Sequence, residues 1–126
     1  MNNRHLNLAC NMALKSKSRT RLGAVVTKRK RVISAGVNNM RKTHPLVQQH
    51  SPGDDFIRGT HAEIHACIGV SAKDLDGAEL YTVRLLRNGQ KALAKPCKIC
   101  QSYLRSVGVV GVWFTTDANT VEYLEL

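Results

Sequence analysis

The feature that most constrains the fold of this 126-residue chain is the alternation of short β-branched runs with helical segments. Apolar residues at positions 6, 9, 10, 13 and 14 have the spacing of one helical face. The runs Gly23–Thr27 and Val32–Ala35 follow, separated by the tetrapeptide Lys28–Arg31. This pattern predicts an amphipathic helix and then a β-hairpin with a basic tip.

The remainder of the chain continues the alternation. It predicts a helix from Thr60 through Ile68, a strand at Leu80–Val83, a helix from Cys97 to Val107 behind Pro96, and strands at Val109–Thr115 and Val121–Leu126. Residues 39–59 show no period, which favours a long functional loop. The order α-ββ-α-β-α-β-β predicts a three-layer α/β fold, with a mixed β-sheet flanked by helices. The length predicts a single domain over residues 1–126.

Neither a membrane segment nor an export signal is predicted. The longest apolar stretch, Val107–Phe114, is far shorter than the roughly 18 residues that span a bilayer. Residues 1–17 interleave polar with apolar side chains, unlike the apolar core of a signal peptide. We therefore expect a cytoplasmic protein without membrane contact, whose four cysteines are reduced.

The net charge of +10 is concentrated at one end of the sequence. Residues 1–53 contain eleven Lys and Arg side chains and no acidic residue. This asymmetry indicates a phosphorylated or polyanionic partner, although a solvated basic surface is the alternative interpretation. The same segment has no aromatic side chain on which bases could stack, which favours a small nucleotide over a nucleic acid.

Three residues have the types and spacing of zinc ligands. Cys97 and Cys100 form a C-x-x-C at the start of one predicted helix, and His61 begins another. The first turn of a helix brings both thiols together, and the helix dipole favours the thiolates. Three protein ligands that leave a fourth position open are typical of catalytic zinc. A carboxylate beside that position, here Glu63, can transfer protons from water to a ring nitrogen and a leaving amine, which is hydrolytic deamination.

Other interpretations of these residues are structural. Thr60 and Glu63 have the spacing of a helix capping box, and the C-x-x-C alone could be a redox pair or half of a structural zinc site. His65 lies one helical turn after His61 and could approach the metal. Unpaired cysteines usually pack as small apolar residues, which is the prediction for Cys10 and Cys67.

The segments Thr60–Ile64, with H-A-E, and Pro96–Cys100, with P-C-x-x-C, together resemble the signature of the zinc-dependent cytidine and deoxycytidylate deaminase superfamily. The resemblance extends over nearly the whole chain and implies a cytidine-deaminase-like fold. It implies one Zn²⁺ per chain, held by His61, Cys97 and Cys100, and a proton-shuttling Glu63. It also implies substrate contacts from Asn38 and from the backbone N–H of Ala62.

Arg41 and Lys42 follow Asn38 in the long loop and are the candidate ligands of a substrate phosphate. We expect an enzyme that converts a cytosine base to uracil, in a nucleotide such as dCMP, and releases ammonia. The resemblance also implies a homo-oligomer. Lys95 is neither the Ser of many cytidine deaminases nor the Glu of many tRNA adenosine deaminases. Deamination of cytosine or adenine in single-stranded DNA or RNA therefore stays open, as does a non-catalytic, zinc-stabilised nucleic-acid-binding module.

Overall fold

The computed structural model describes residues 1–17, 20–38, 61–117 and 119–126. Its helices are Asn3–Leu14 (α1), Ala62–Cys67 (α2), Ala72–Leu75 (α3) and Lys98–Ser106 (α4), and its strands are Arg21–Lys28 (β1), Arg31–Val37 (β2), Glu79–Leu85 (β3), Lys91–Ala92 (β4), Gly111–Thr115 (β5) and Val121–Glu125 (β6). The described strands form one sheet in the order β2-β1-β3-β5-β6, and β4 pairs with the end of β3. The β3–β5 pair is parallel and the other pairs are antiparallel, so the sheet is mixed.

Helix α1 covers one face of the sheet. Its buried side chains Leu6, Ala9 and Ala13 form a cluster with Val25 of β1 and Tyr81 of β3. The helix begins where the side chain of Asn2 accepts hydrogen bonds from the first turn and satisfies N–H groups that have no partner within the helix. The periodic apolar stripe of this segment therefore becomes one outer layer of the fold.

Helices α2 and α4 cover the opposite face. Ile64 of α2 and Leu104 of α4 pack with Val26, Leu80 and Val112, which come from three neighbouring strands. Apolar side chains alternate between the two faces of a strand, so Val25 faces α1 while Val26 faces α2. Helices on both sides of a mixed sheet confirm the predicted three-layer α/β fold.

Two short elements were not predicted from the sequence. Helix α3 and strand β4 are too short for a periodic pattern to reveal them. The predicted long loop at residues 39–59 and the predicted helix start at Thr60 lie outside the described residues. Within the described ranges, no helix is both long and apolar enough to cross a bilayer.

The tip of the β1–β2 hairpin has an uncommon sequence for its conformation. Lys28 pairs with Arg31, so Arg29 and Lys30 form a two-residue turn. Their φ angles are 52° and 66°, the left-handed values of a type I′ turn. Asn and Gly are favoured at these two positions, because other side chains crowd the backbone there. The predicted basic tip is confirmed, and its two central cations occupy strained positions.

We expect Arg29→Asn/Lys30→Gly to stabilise the protein by about 1 kcal/mol, because it places the favoured residues at both left-handed positions. The measurement is the free energy of unfolding in urea. Arg29→Gln/Lys30→Gln is the matched control, since it removes the same two charges without relieving the backbone strain. Equal stability of the two double variants would show that the turn conformation costs little.

Candidate functional site

Three side chains from two separate parts of the sequence converge on one point. The ligating atoms of His61, Cys97 and Cys100 all lie within 4.8 Å of one another. His61 Nδ1 lies 3.2 Å from Cys100 Sγ and 3.6 Å from Cys97 Sγ. Zn–S bonds of about 2.3 Å and Zn–N bonds of about 2.0 Å in a tetrahedron place nitrogen and sulfur about 3.5 Å apart. The group therefore fits one zinc ion per chain.

The two cysteines are positioned by the start of α4. Cys97 is the N-cap residue, with an extended backbone, and its Sγ accepts a hydrogen bond from the Cys100 N–H at 3.5 Å. The preceding residues are anchored between strands, since the Ala94 N–H donates to the Thr115 carbonyl and the Ala94 carbonyl accepts from Thr82 Oγ1. The inner strands β3 and β5 thus determine where the C-x-x-C turn begins.

His61 is positioned by the start of α2. It is the N-cap residue of that helix, although its side chain makes no capping hydrogen bond. The helix lies close to β2 because residue 36 is glycine: a Cβ there would lie 2.5 Å from the Ala66 nitrogen. The imidazole ring of His61, which makes no capping contact, faces the two thiols.

The surroundings of the two thiols shift their pKa values in opposite directions. Hydrogen bonding from Cys100, assisted by His61 and by the Cys100 N–H, lowers the pKa of Cys97 to about 4. The hydrogen bond with Cys97, together with burial, raises the pKa of Cys100 far above its usual value. Cys97 is therefore the more acidic of the two thiols. The hydrogen bond to Cys97 raises the pKa of His61.

Glu63 lies directly beside this group. Its side chain is 4% exposed, and Oε2 accepts a hydrogen bond from Cys100 Sγ at 3.4 Å. Burial raises the pKa of this carboxyl group, because a surrounding with little water disfavours the ionised form. With His61 as the N-cap, Glu63 is the second helical residue and does not hold the third position that a capping box requires.

The remaining predicted site residues occupy different surroundings. Ala62 is the first residue of α2, where a backbone N–H has no intrahelical partner. Asn38 directly follows β2 and is 3% exposed. Arg41 and Lys42 lie outside the described residues, as do two histidines of the same loop, His44 and His50, for which no role was predicted.

The side chain of Asn38 joins three parts of the chain. Its Oδ1 accepts hydrogen bonds from Ser16 Oγ at 2.6 Å and from the Leu22 N–H at 3.1 Å, and its Nδ2 donates to the Thr20 carbonyl. These contacts hold the segment after α1 against the end of β2. Ser16 was not singled out from the sequence, because a partner 22 residues away leaves no local signal.

Among the described residues, the other histidine and cysteine side chains are not part of the metal group. His65 is exposed, and its Nδ1 accepts the Val37 N–H at 3.0 Å, so it fastens α2 to β2. Cys67 is buried in the core, where burial raises its pKa to about 12. Cys10 is partly buried against the α1 cluster. The predicted structural role of the last two residues is confirmed.

Solved structures with the same fold include two of the dCMP deaminase from the cyanophage S-TIM5. The apo form has a TM-score of 0.64 and 21% identity, and the alignment covers 90% of this chain and 81% of that one. The form in complex with dCMP and dUMP has a TM-score of 0.64 and 20% identity, covering 90% and 79%. RibD of Acinetobacter baumannii has a TM-score of 0.53 and 19% identity, covering 88% of this chain and 27% of that one.

A comparison with curated protein sequences finds no significant match. The sequence profile of the cytidine and deoxycytidylate deaminase zinc-binding region, however, matches residues 1–116. This match spans both helix starts that carry the His61, Cys97 and Cys100 group. The chain therefore belongs to the cytidine and deoxycytidylate deaminases, a family of zinc-dependent hydrolytic enzymes.

Proposed function

We propose that this protein deaminates cytosine to uracil in a nucleotide such as dCMP and releases ammonia. The observation that carries the proposal is a buried carboxylate, Glu63, next to a three-residue group that fits one zinc ion. A structural zinc site is usually closed by four protein ligands and needs no carboxylate beside it. The arrangement therefore supports catalysis over a purely structural metal.

In the proposed mechanism, His61, Cys97 and Cys100 hold the metal. Zinc bound there would act as a Lewis acid that makes water nucleophilic near neutral pH. Glu63 accepts one proton of the attacking water and delivers it to N3 of the base as the C4–O bond forms, and it then passes the second proton of that water to the exocyclic amine. The C4–N bond breaks as the C4=O double bond forms, so cytosine and water give uracil and ammonia.

Binding of the base and of its phosphate is proposed for four further residues. The Ala62 N–H, at the positive end of α2, donates to the carbonyl oxygen of the base. Asn38 contacts the sugar or the base, and Arg41 and Lys42 bind the phosphate. The substrate in this proposal is a small nucleotide, and homo-oligomers acting in the cytoplasm are part of the same proposal. All four cysteines are free thiols, which is consistent with a reducing compartment.

A panel of cytosine-containing compounds tests this function. We expect zinc-loaded protein to consume dCMP with loss of the cytosine absorbance band and release of one ammonia per dUMP formed. Cytosine, dCTP, a single-stranded oligonucleotide and tRNA complete the panel. A higher kcat/KM for the oligonucleotide than for dCMP would indicate that the substrate is a nucleic acid. No turnover of any compound by zinc-loaded protein would favour a non-catalytic module.

A further inference from the structure

A second charged region lies far from the metal group. Helix α2 touches β2 at Gly36, close to the metal group, whereas the hairpin tip begins five residues earlier, at Arg31. At about 3.3 Å per strand residue, these positions are about 16 Å apart. A stacked strand rises about 3.4 Å per nucleotide along its axis, so the gap corresponds to several nucleotides. A mononucleotide at the metal group does not account for the tip.

Two concave pockets flank the tip and share its cations. One pocket, of about 660 Å³, is lined by Arg4 from α1 together with Lys28, Arg29 and Lys30. The second, of about 420 Å³, is lined by four cations, namely Lys28, Arg29, Arg31 and Lys73. Glu79 and Asp74 are the acidic residues lining them. We call the six cations that line these two pockets the tip surface.

The six cations of the tip surface outnumber the two carboxylates, Glu79 and Asp74, that line the same pockets. None of the six forms an ion pair with a described carboxylate. Lys28 Nζ donates to the Lys73 carbonyl at 2.7 Å, which holds the hairpin against α3. Clustered like charges repel one another, so such a surface is stabilised by bound anions.

The backbone of the tip gives an independent indication of function. Arg29 and Lys30 occupy left-handed positions at which Asn and Gly would be more stable. Residues held in sparsely populated backbone conformations are concentrated at functional sites. Both side chains at this turn are cations, although Asn and Gly would make the turn more stable.

We propose that the tip surface binds the phosphate backbone of a single-stranded nucleic acid, at a place separate from the nucleotide site. Cations on opposite sides of a narrow hairpin cannot converge on one phosphate, whereas a flexible strand presents phosphates to both pockets in succession. The choice of a nucleic acid among polyanions rests on the proposed function, since the metal centre acts on a nucleobase.

The test is fluorescence anisotropy with a labelled oligo-dT strand of about 12 nucleotides, within the usual site sizes for single strands. Oligo-dT has no cytosine, so the result does not depend on whether the protein deaminates. If four phosphates are contacted, the affinity should fall about 50-fold as salt rises from 50 to 200 mM. For Arg29→Asn/Lys30→Gly, which should fold more stably, the fall should be only about 7-fold.

A control variant removes two charges elsewhere on the surface. Arg87→Ser/Arg105→Ser should retain the salt dependence of the unmodified protein, because neither residue lines the two pockets. Identical salt dependence of the tip variant and this control would overturn the proposal. Absence of oligo-dT binding at 50 mM salt would also overturn it. A competition with pyrophosphate, at equal phosphate concentration and ionic strength, gives a third outcome that would overturn it. If pyrophosphate displaces the strand completely, the surface binds small anions and does not need a strand.

Discussion

Glu63→Gln is expected to lower the deamination rate of dCMP by a factor of about 10²–10⁴, or more if this group serves each proton transfer. Glutamine has nearly the same shape as glutamate but cannot accept and return a proton. The buried position of Glu63, 3.4 Å from Cys100 Sγ, leaves it beside the metal group and outside the set of three ligands. The measurement is kcat for dCMP with matched zinc content.

Zinc content and stability distinguish a catalytic from a structural effect of this substitution. The variant should retain one zinc per chain, because Glu63 is not in the ligand group. Burial raises the Glu63 pKa, so the ionised carboxylate destabilises the zinc-free folded state, and this cost grows as the pH rises above the unfolded-state value. After treatment with a chelator, Glu63→Gln should thus be more stable than the unmodified protein, and more so at pH 8 than at pH 5. Near-normal turnover by Glu63→Gln would show that Glu63 does not transfer protons in the reaction. Loss of zinc from this variant would show that Glu63 is a ligand.

Cys97→Ala and Cys100→Ala are each expected to abolish stoichiometric zinc binding and the activity that depends on it. Each substitution leaves only two of the three ligands that converge in this site. Zinc binding to thiolates can supply about 10–16 kcal/mol in small zinc domains, and this energy also stabilises the folded state. Elemental analysis should give about one zinc per chain for the unmodified protein and almost none for either variant.

Cys67→Ala is the matched control, since Cys67 is another buried free thiol but is not in the ligand group. It should bind zinc normally and lose only the packing of one buried side chain. A chelator should lower the melting temperature of the unmodified protein and of Cys67→Ala, but not that of Cys97→Ala. Full zinc content in both Cys97→Ala and Cys100→Ala would contradict the proposed ligand set.

Elements with a strong local pattern were predictable from the sequence. The apolar spacing in residues 6–14 corresponds to α1, and the β-branched runs on both sides of Lys28–Arg31 correspond to β1 and β2. Helix α1 nevertheless begins at Asn3, because the Asn2 side chain caps it ahead of the first periodic apolar residue. Local periodicity determines which kind of element forms, while its ends depend on individual capping contacts.

The candidate metal ligands were also predictable, because their signal is chemical and local. The spacing of Cys97 and Cys100, like the H-A-E beginning at His61, can be read from a few adjacent residues. The roles of His65 and Ser16 could not be read in this way. His65 could have approached the metal by its helical spacing, yet it accepts a hydrogen bond from Val37, 28 residues away.

The sequence by itself determined the class of fold, the family signature and the concentration of positive charge before Asp54. Only the tertiary structure decided that Glu63 is buried against Cys100 and that α1 and α3 add Arg4 and Lys73 to the hairpin tip. The physical reason is that burial and charge clustering arise between side chains from distant parts of the chain. Their proximity depends on how helices and strands pack, which no local pattern encodes.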